Sequence, residues 1–398
     1  MVQEEKYIRY RLRKAKWQSI PFYLFRIFPI KKNKIVFCCI EGTTGYTCNP
    51  KYIAEECIRR NKNRENDFEL VWLVNDTTKN FPTEIKVVKN TLWNRAYELA
   101  TAKVWIDNSR KQLEVRKRKG QVYLQTWHAK LGFKPTCLDR GASFSKIAYL
   151  VSKHDSDMID YVISNSKWYD DTLPTGMIYN GPVLRTGSPR CDILVKRTEE
   201  ECKQIRRQYQ LPDDAKIIMY APTFRGGSQG TNRKIQISDM KLDYESLMKN
   251  LKKRFGGNWY IFMRLHPQLV ARNMTEKVQN GHIIDVSFVD DMYAILAGCD
   301  AFLTDYSSAA FDAAVMKIPV FLYCSDYGEY QQERGELLWD MEKLPFPMGK
   351  CNEELMQKIE QFDDKEYVRK LNGLFQKNEV EESGIASKMV VNFISNIE

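Results

Sequence analysis

Residues 301–323, AFLTDYSSAAFDAAVMKIPVFLY, constrain the fold more than any other stretch. A short apolar run, Asp300–Thr304, leads into Asp305-Tyr306-Ser307-Ser308. Ala309–Met316 has a helical pattern, Pro319 breaks it, and Val320–Tyr323 is a second apolar run. Strand, turn, helix and strand in that order make a βαβ unit, which commits its neighbours to a parallel sheet. Ligands of such sheets sit at the carboxyl ends of strands, against helix N-termini. Ser307-Ser308 at that place has two readings. A serine oxygen can cap the orphan amides of the helix, or the same hydroxyls and amides can hold a phosphate.

The alternation extends along the chain. Ile35–Ile40, Leu70–Val74, Val104–Asp107, Val122–Gln125 and Tyr161–Ser164 are strand-like, with helical stretches near Pro50–Arg60, Leu92–Ala102 and Thr198–Gln210. The rhythm restarts around Leu211–Asp214. Lys216–Tyr220, Trp259–Arg264 and Ile283–Asp285 join the 301–323 strands, separated by the helices Leu242–Arg254 and Met292–Ala297. Such spacing predicts two doubly wound α/β halves facing across a cleft. The expected domains are two halves, residues 34–200 and 201–380, with 381–398 as a helix crossing back. Ser228–Asn232, after Gly226-Gly227, reads as a flexible loop.

Residues 1–33 are different in kind. Residues 1–34 hold ten Lys/Arg against two Glu, whereas the whole 398-residue chain carries a net charge of +10, so the rest is close to neutral. The bases Lys6, Arg9, Arg11, Arg13, Lys14 and Lys16 precede the bulky block Ile20-Pro21-Phe22-Tyr23-Leu24-Phe25-Arg26-Ile27-Phe28. A basic helix followed by exposed aromatics suits an anionic membrane surface. The alternative is that the aromatic block packs on the protein's own core. A nucleic-acid arm is the weakest option, because no groove-reading motif follows. No apolar run approaches the ~20 residues of a membrane span, and the start lacks the apolar core of a secretory signal. The ten cysteines show no CxxC pair, which argues for reduced thiols in a cytoplasmic protein over a zinc cage or redox motif.

Four histidines are present. His128 and His266 each follow a predicted strand, one in each half, where a histidine can act as a general base or donate to a phosphate. Either one alone would more simply be structural. His154 and His282 fall in polar contexts and read as surface residues. Past the strand ends lie Thr223 with Arg225, and Arg264 beside His266, while Arg190 lies near the hinge; arginine grips phosphate bidentately where lysine cannot. With Ser307 and Ser308 they suit a diphosphate with little need of a metal or cofactor. Asp312, one turn further, is placed to accept from polyol hydroxyls. No GxxxxGK[ST] loop, helix-opening GxGxxG or strand-end DxD is present, so P-loop, kinase and dinucleotide chemistry lack support.

Together these motifs resemble the CDP-glycerol glycerophosphotransferase family, which primes or polymerises teichoic acids and related phosphate-linked glycopolymers. The matching stretches are Lys34-Ile35-Val36-Phe37 with Tyr46 and Asn49-Pro50, Leu99-Ala100-Thr101-Ala102, Thr126-Trp127-His128 and Gly187-Ser188-Pro189-Arg190. They continue with Tyr220-Ala221-Pro222-Thr223-Phe224-Arg225, Arg264-Leu265-His266-Pro267, Thr304-Asp305-Tyr306-Ser307-Ser308 with Phe311-Asp312, and Glu333-Arg334-Gly335. The resemblance implies a GT-B-like fold whose second domain holds the nucleotide. It implies His128 as the base on the acceptor hydroxyl, and Arg264 and His266 on the diphosphate, steadying the departing CMP. Arg190, Pro222, Thr223, Ser307, Ser308 and Asp312 match the CDP-glycerol positions, and the implied acceptors are lipid-linked. Where the family follows its histidine with Gly-Thr-Pro, this chain has Ala129-Lys130-Leu131. Lys130 then supplies a cation where a hydroxyl is lost.

The expected activity is transfer of glycerol phosphate from CDP-glycerol to a lipid-linked saccharide or growing polymer, in teichoic acid or capsule synthesis, at the cytoplasmic face of the membrane. Rivals are a ribitol or other CDP-alditol transferase, a GT-B glycosyltransferase using a nucleotide sugar, and a membrane-bound binding module without catalysis.

Overall fold

The first strand shows how the chain is layered. In β1 (Lys31–Cys38) Ile35 and Phe37 point into one apolar cluster, and Val36 and Cys38 into another on the opposite face. That is the period of two a strand imposes. In β2 (Glu69–Val74) Leu70, Trp72 and Val74 are divided in the same way from Val71 and Leu73. Both faces are covered, which is why these strands read as continuous apolar runs.

The computed structural model describes residues 2–223, 242–265, 281–334 and 336–397. His266, Arg225, Gly335 and the Ser228–Asn232 loop lie outside the described residues.

The chain divides into two compact units. The first comprises residues 1–130, 136–192 and 380–398. To β1 and β2 it adds β3 (Ile85–Lys89), β4 (Ala102–Asp107), β5 (Val122–Gln125), β6 (Tyr161–Ser164) and β7 (Val183–Arg185). All pair in parallel, in the order β3-β2-β1-β4-β5-β6-β7. The second unit comprises residues 131–135 and 193–379. It contains β8 (Lys216–Tyr220), β9 (Trp259–Met263), β10 (Ile283–Asp285), β11 (Ala301–Thr304), β12 (Val320–Tyr323) and β13 (Met348–Gly349). These are again parallel, in the order β10-β9-β8-β11-β12-β13. Each sheet therefore reverses its winding once, between β1 and β4 and between β8 and β11, and such switch points are where α/β sheets bind ligands. The 301–323 stretch folds as read: β11 and β12 pair in parallel around the helix Ala309–Ala314.

Several elements escape a sequence reading. β3 and β7 are edge or near-edge strands with half-exposed residues, and the helix Lys167–Gly176 contains Pro174. His154 does not lie in a polar loop. It sits in the helix Lys146–Ser156, half-buried, with Nε2 3.0 Å from the Val115 carbonyl. His282 is in an exposed turn.

The N-terminal helix Val2–Gln18 is followed by Ile20–Leu24. Phe22 is fully buried in the apolar cluster that includes Leu99, Trp105 and Tyr123, whereas Trp17, Tyr23, Leu24 and Ile27 are exposed, Ile27 by 82%. The aromatic block is thus split between core and surface. Among the described residues no helix is long and apolar enough to cross a membrane. All ten cysteines are described, and no disulfide joins them. The C-terminal helix Ala386–Ser395 is fastened to the first unit by Asp192, whose carboxylate accepts from the amides of Ala386 and Ser387, both at 2.8 Å.

Candidate functional site

In the first unit the loops behind β4 and β5 are bound to each other. Thr126 donates its amide to the Asp107 carbonyl (2.8 Å), and the His128 Nδ1 lies 2.8 Å from the Asn108 carbonyl. A carbonyl can only accept, so Nδ1 carries the ring proton and Nε2 keeps its lone pair. Asn108 belongs to the switch point: its Oδ1 accepts from the Ile40 amide just past β1 (2.8 Å). His128 is solvent-accessible, while loss of hydration from the atoms packed round it, with Arg190 and Arg110 nearby, holds its pKa below the ordinary imidazole value. The hydrogen bond to Asn108 opposes that shift without cancelling it.

Asn49 organises this loop from within the helix Cys48–Lys62. It is fully buried. Its Nδ2 donates to the carbonyls of Trp127 (2.8 Å) and Thr126 (3.2 Å), and its Oδ1 accepts from the Arg190 amide (3.1 Å). Arg190, also buried, donates Nη1 to the His128 carbonyl (2.6 Å). Gln125 accepts from the Trp127 amide (2.9 Å). These bonds hold Trp127 at φ 47, a left-handed conformation that costs a bulky residue about 1–3 kcal/mol. Arg190 therefore reaches the site by fixing the backbone of His128. The sequence signal for Asn49 was its place in the Asn49-Pro50 motif; nothing local announced that its amide spans to the β5 loop.

Lys130 points into the first unit. It is 2% exposed, with Nζ donating to the Ile163 carbonyl and lying 4.6 Å from the Tyr169 ring centroid. Burial, with Arg190 adding repulsion, pushes its ammonium down to about 7. Between that value and the ~10.4 of a free lysine the unfolded chain binds the more protons, so this group makes stability rise with pH across that window. Lys130→Met is expected to gain about 2 kcal/mol at pH 7, after roughly 1–3 kcal/mol is lost by leaving the Ile163 carbonyl unmet. Near pH 10 the burial cost has gone and the substitution turns destabilising. Denaturant unfolding at the two pH values checks the change of sign.

The second unit's switch point brings together β8 and β11 with the loops that follow them. The Asp305 carboxylate accepts from the Thr223 amide at 2.9 and 3.0 Å and from the Tyr306 amide at 2.6 Å. Thr304 Oγ1 donates to the Ala221 carbonyl (2.6 Å). Pro222 and Thr223 are thereby fastened to the loop carrying Ser307 and Ser308. Ser307 Oγ accepts from the Ala309 amide (3.3 Å), whereas Ser308, at the N-cap, makes no side-chain capping bond; both are half-buried. Asp312 is buried and accepts from the Tyr293 hydroxyl (2.6 Å). Arg264 is turned toward its own unit. Nη1 donates to the carbonyls of Val286 (2.6 Å), Ser287 (3.3 Å) and Val289, and Nη2 to that of Asp290 (3.4 Å). Burial holds its pKa below the usual guanidinium value.

The short segment Leu131–Pro135 belongs to the second unit although it begins three residues after His128. Phe133 is buried with its ring 5.0 Å from that of Phe311, on the helix of Asp312. Its carbonyl accepts from the Leu338 amide (2.9 Å), and Trp339 Nε1 donates to the Gly132 carbonyl (3.1 Å). The expected boundary near residue 200 has no place for this segment, since five residues carry no period.

The chain is 27% identical over 394 residues to the teichoic acid poly(glycerol phosphate) polymerase of Bacillus spizizenii, covering 96% of this chain and 97% of that one. It is 28% identical to the protein of the same description from Bacillus subtilis, over 95% of this chain and 50% of that one, so it spans about half of some relatives. The teichoic acid poly(ribitol-phosphate) polymerase of B. spizizenii is 27% identical over 85% of this chain and 52% of that one. Among solved structures, a variant of the wall teichoic acid polymerase TagF soaked with CDPG superposes with a TM-score of 0.79 at 25% identity, covering 99% of this chain and 98% of that one. Both sheets, with their GT-B-like architecture, are thus shared with TagF. Residues 20–396 match the CDP-glycerol:poly(glycerophosphate) glycerophosphotransferase family, a span that includes every loop described above, and the chain belongs to that family.

Proposed function

We propose that the protein transfers glycerol phosphate from CDP-glycerol to a hydroxyl of a lipid-linked saccharide or growing poly(glycerol phosphate) chain, releasing CMP. The observation that carries this reading is the bond from His128 Nδ1 to the Asn108 carbonyl, which leaves Nε2 as the basic nitrogen. The depressed pKa keeps that nitrogen unprotonated near neutral pH. It takes the proton of the attacking hydroxyl as the oxygen closes on the β-phosphorus and the bond to CMP breaks. Asn49 and Arg190 are positioning residues for this base. Pro222, Thr223, Ser307, Ser308 and Asp312, at the β8/β11 switch point, hold the donor, and Ser308 has a hydroxyl uncommitted to capping. Arg264 braces the turn at 286–290 of the same unit, and His266 and Arg225 belong with the diphosphate. The exposed aromatics and bases of the N-terminal segment seat the protein on an anionic membrane, where lipid-linked acceptors reside.

Ribitol transfer is the second reading, favoured by the similar identity to ribitol-phosphate polymerases. Incubation with CDP-glycerol, CDP-ribitol, UDP-sugars and GDP-sugars, reading the nucleotide released, separates them. CMP from CDP-glycerol alone is expected. CMP from CDP-ribitol alone would replace the donor, and UDP or GDP release would replace the reaction class.

A further inference from the structure

The first helix does not lie flat on the protein along its whole width. Ile8 and Ala15 are buried on one face, and beside that face a cavity of about 410 Å3 opens between the helix and residues 112–114. Tyr7, Tyr10, Arg11, Lys14 and Gln18 form its helical wall, a set at the 3–4 residue spacing of one helix stripe. The facing wall is Gln112, Leu113 and Glu114. Arg11 is held in place by its Nη1 donating to the Tyr7 hydroxyl (3.0 Å). The one acid in the lining, Glu114, is paired with Arg95 at 2.6 Å, so the cavity is left cationic. Trp17, 73% exposed, stands one heptad from Tyr10 on the same side, and such rings favour the headgroup level of a bilayer.

We propose that this cavity is a binding site for the phosphodiester headgroup of an anionic phospholipid, with Arg11 and Lys14 on the phosphate, and Tyr10 and Trp17 at the bilayer interface. The inference rests on the peripheral-membrane reading and sharpens it: attachment is through a defined pocket as well as through summed charge. A diffuse basic surface counts each cation alike. A pocket does not.

The test is sedimentation of the full chain with vesicles containing a minor fraction of phosphatidylglycerol in phosphatidylcholine. Arg11→Gln/Lys14→Gln is compared with Arg13→Gln/Lys16→Gln, which removes the same charge from exposed positions outside the cavity. The cavity pair is expected to lose at least about fivefold more affinity than the control pair. Gln18→Glu, which puts a carboxylate into the cavity wall, is expected to weaken binding by itself and provides the answer if the double variant does not fold. Excess soluble glycerophosphoglycerol, the headgroup without its acyl chains, is expected to reduce wild-type binding partially. Equal losses in the two double variants would overturn the pocket and leave membrane attachment standing. Wild-type chain that ignores the vesicles would overturn both.

Discussion

His128→Ala is expected to lower turnover by about 10²–10⁴-fold, the range attributable to a positioned general base, while CDP-glycerol still binds. The separation follows from where the residue sits. His128 lies at the end of β5 in the first unit, and the residues proposed to hold the donor lie at the β8/β11 switch point of the second. Donor affinity by calorimetry should therefore be unchanged. The fold should hold as well, because the His128 ring makes its one described hydrogen bond to a loop carbonyl and remains solvent-accessible. The pH profile supplies an independent check. Since packing and two arginines depress the His128 pKa, the base stays unprotonated to lower pH than a free imidazole. The acid limb of kcat/KM should fall below ~6.5, the ordinary imidazole value. A limb above that value, or turnover by the alanine variant near the wild-type rate, would remove His128 from the mechanism.

Strands buried on both faces were legible because burial leaves a continuous apolar signature: β1, β2, β4, β8, β11 and β12 fall where the runs of Val, Ile, Leu and Phe predict them. β7 and β13 were not legible: they are short, and β7 lies at the sheet edge with all its residues half-exposed. The same physics governs the site. His128 could be placed after a strand because strand ends are local. The partners that orient it could not: Asn49 lies 78 residues from Trp127 and meets it only through the sheet order β1-β4-β5. Arginines mark the further limit. Sequence shows that Arg264 follows a strand and that Arg190 lies near the hinge, yet a guanidinium serves backbone carbonyls as readily as phosphates. Both spend described donors on carbonyls here, Arg190 on His128 and Arg264 on the 286–290 turn. Lys130 shows the same ambiguity. It is buried, and its Nζ donates to the Ile163 carbonyl.

Asn49→Asp tests whether the base must be held as well as present. The substitution keeps the size of the side chain and its acceptor for the Arg190 amide. It replaces the amide that donates to the carbonyls of Thr126 and Trp127 by a second acceptor facing them. Two carbonyls lose their donor, and a carboxylate is buried against oxygen, at a cost of roughly 2–4 kcal/mol in stability. Trp127 then has less to hold it in its left-handed conformation, and the His128 ring, one residue on, loses its fixed aim. Misplacement of a reacting group by about 1 Å costs on the order of 10²-fold. At temperatures well below unfolding, kcat should therefore drop by about 10–10²-fold with donor affinity unchanged, and Asn49→Ala should fall in the same range. A purely structural role predicts something else: lower melting temperature with full turnover in the folded fraction. Single-turnover rates at saturating CDP-glycerol, normalised to folded protein, distinguish the two, and a wild-type rate in both variants would show that the loop keeps its shape without Asn49.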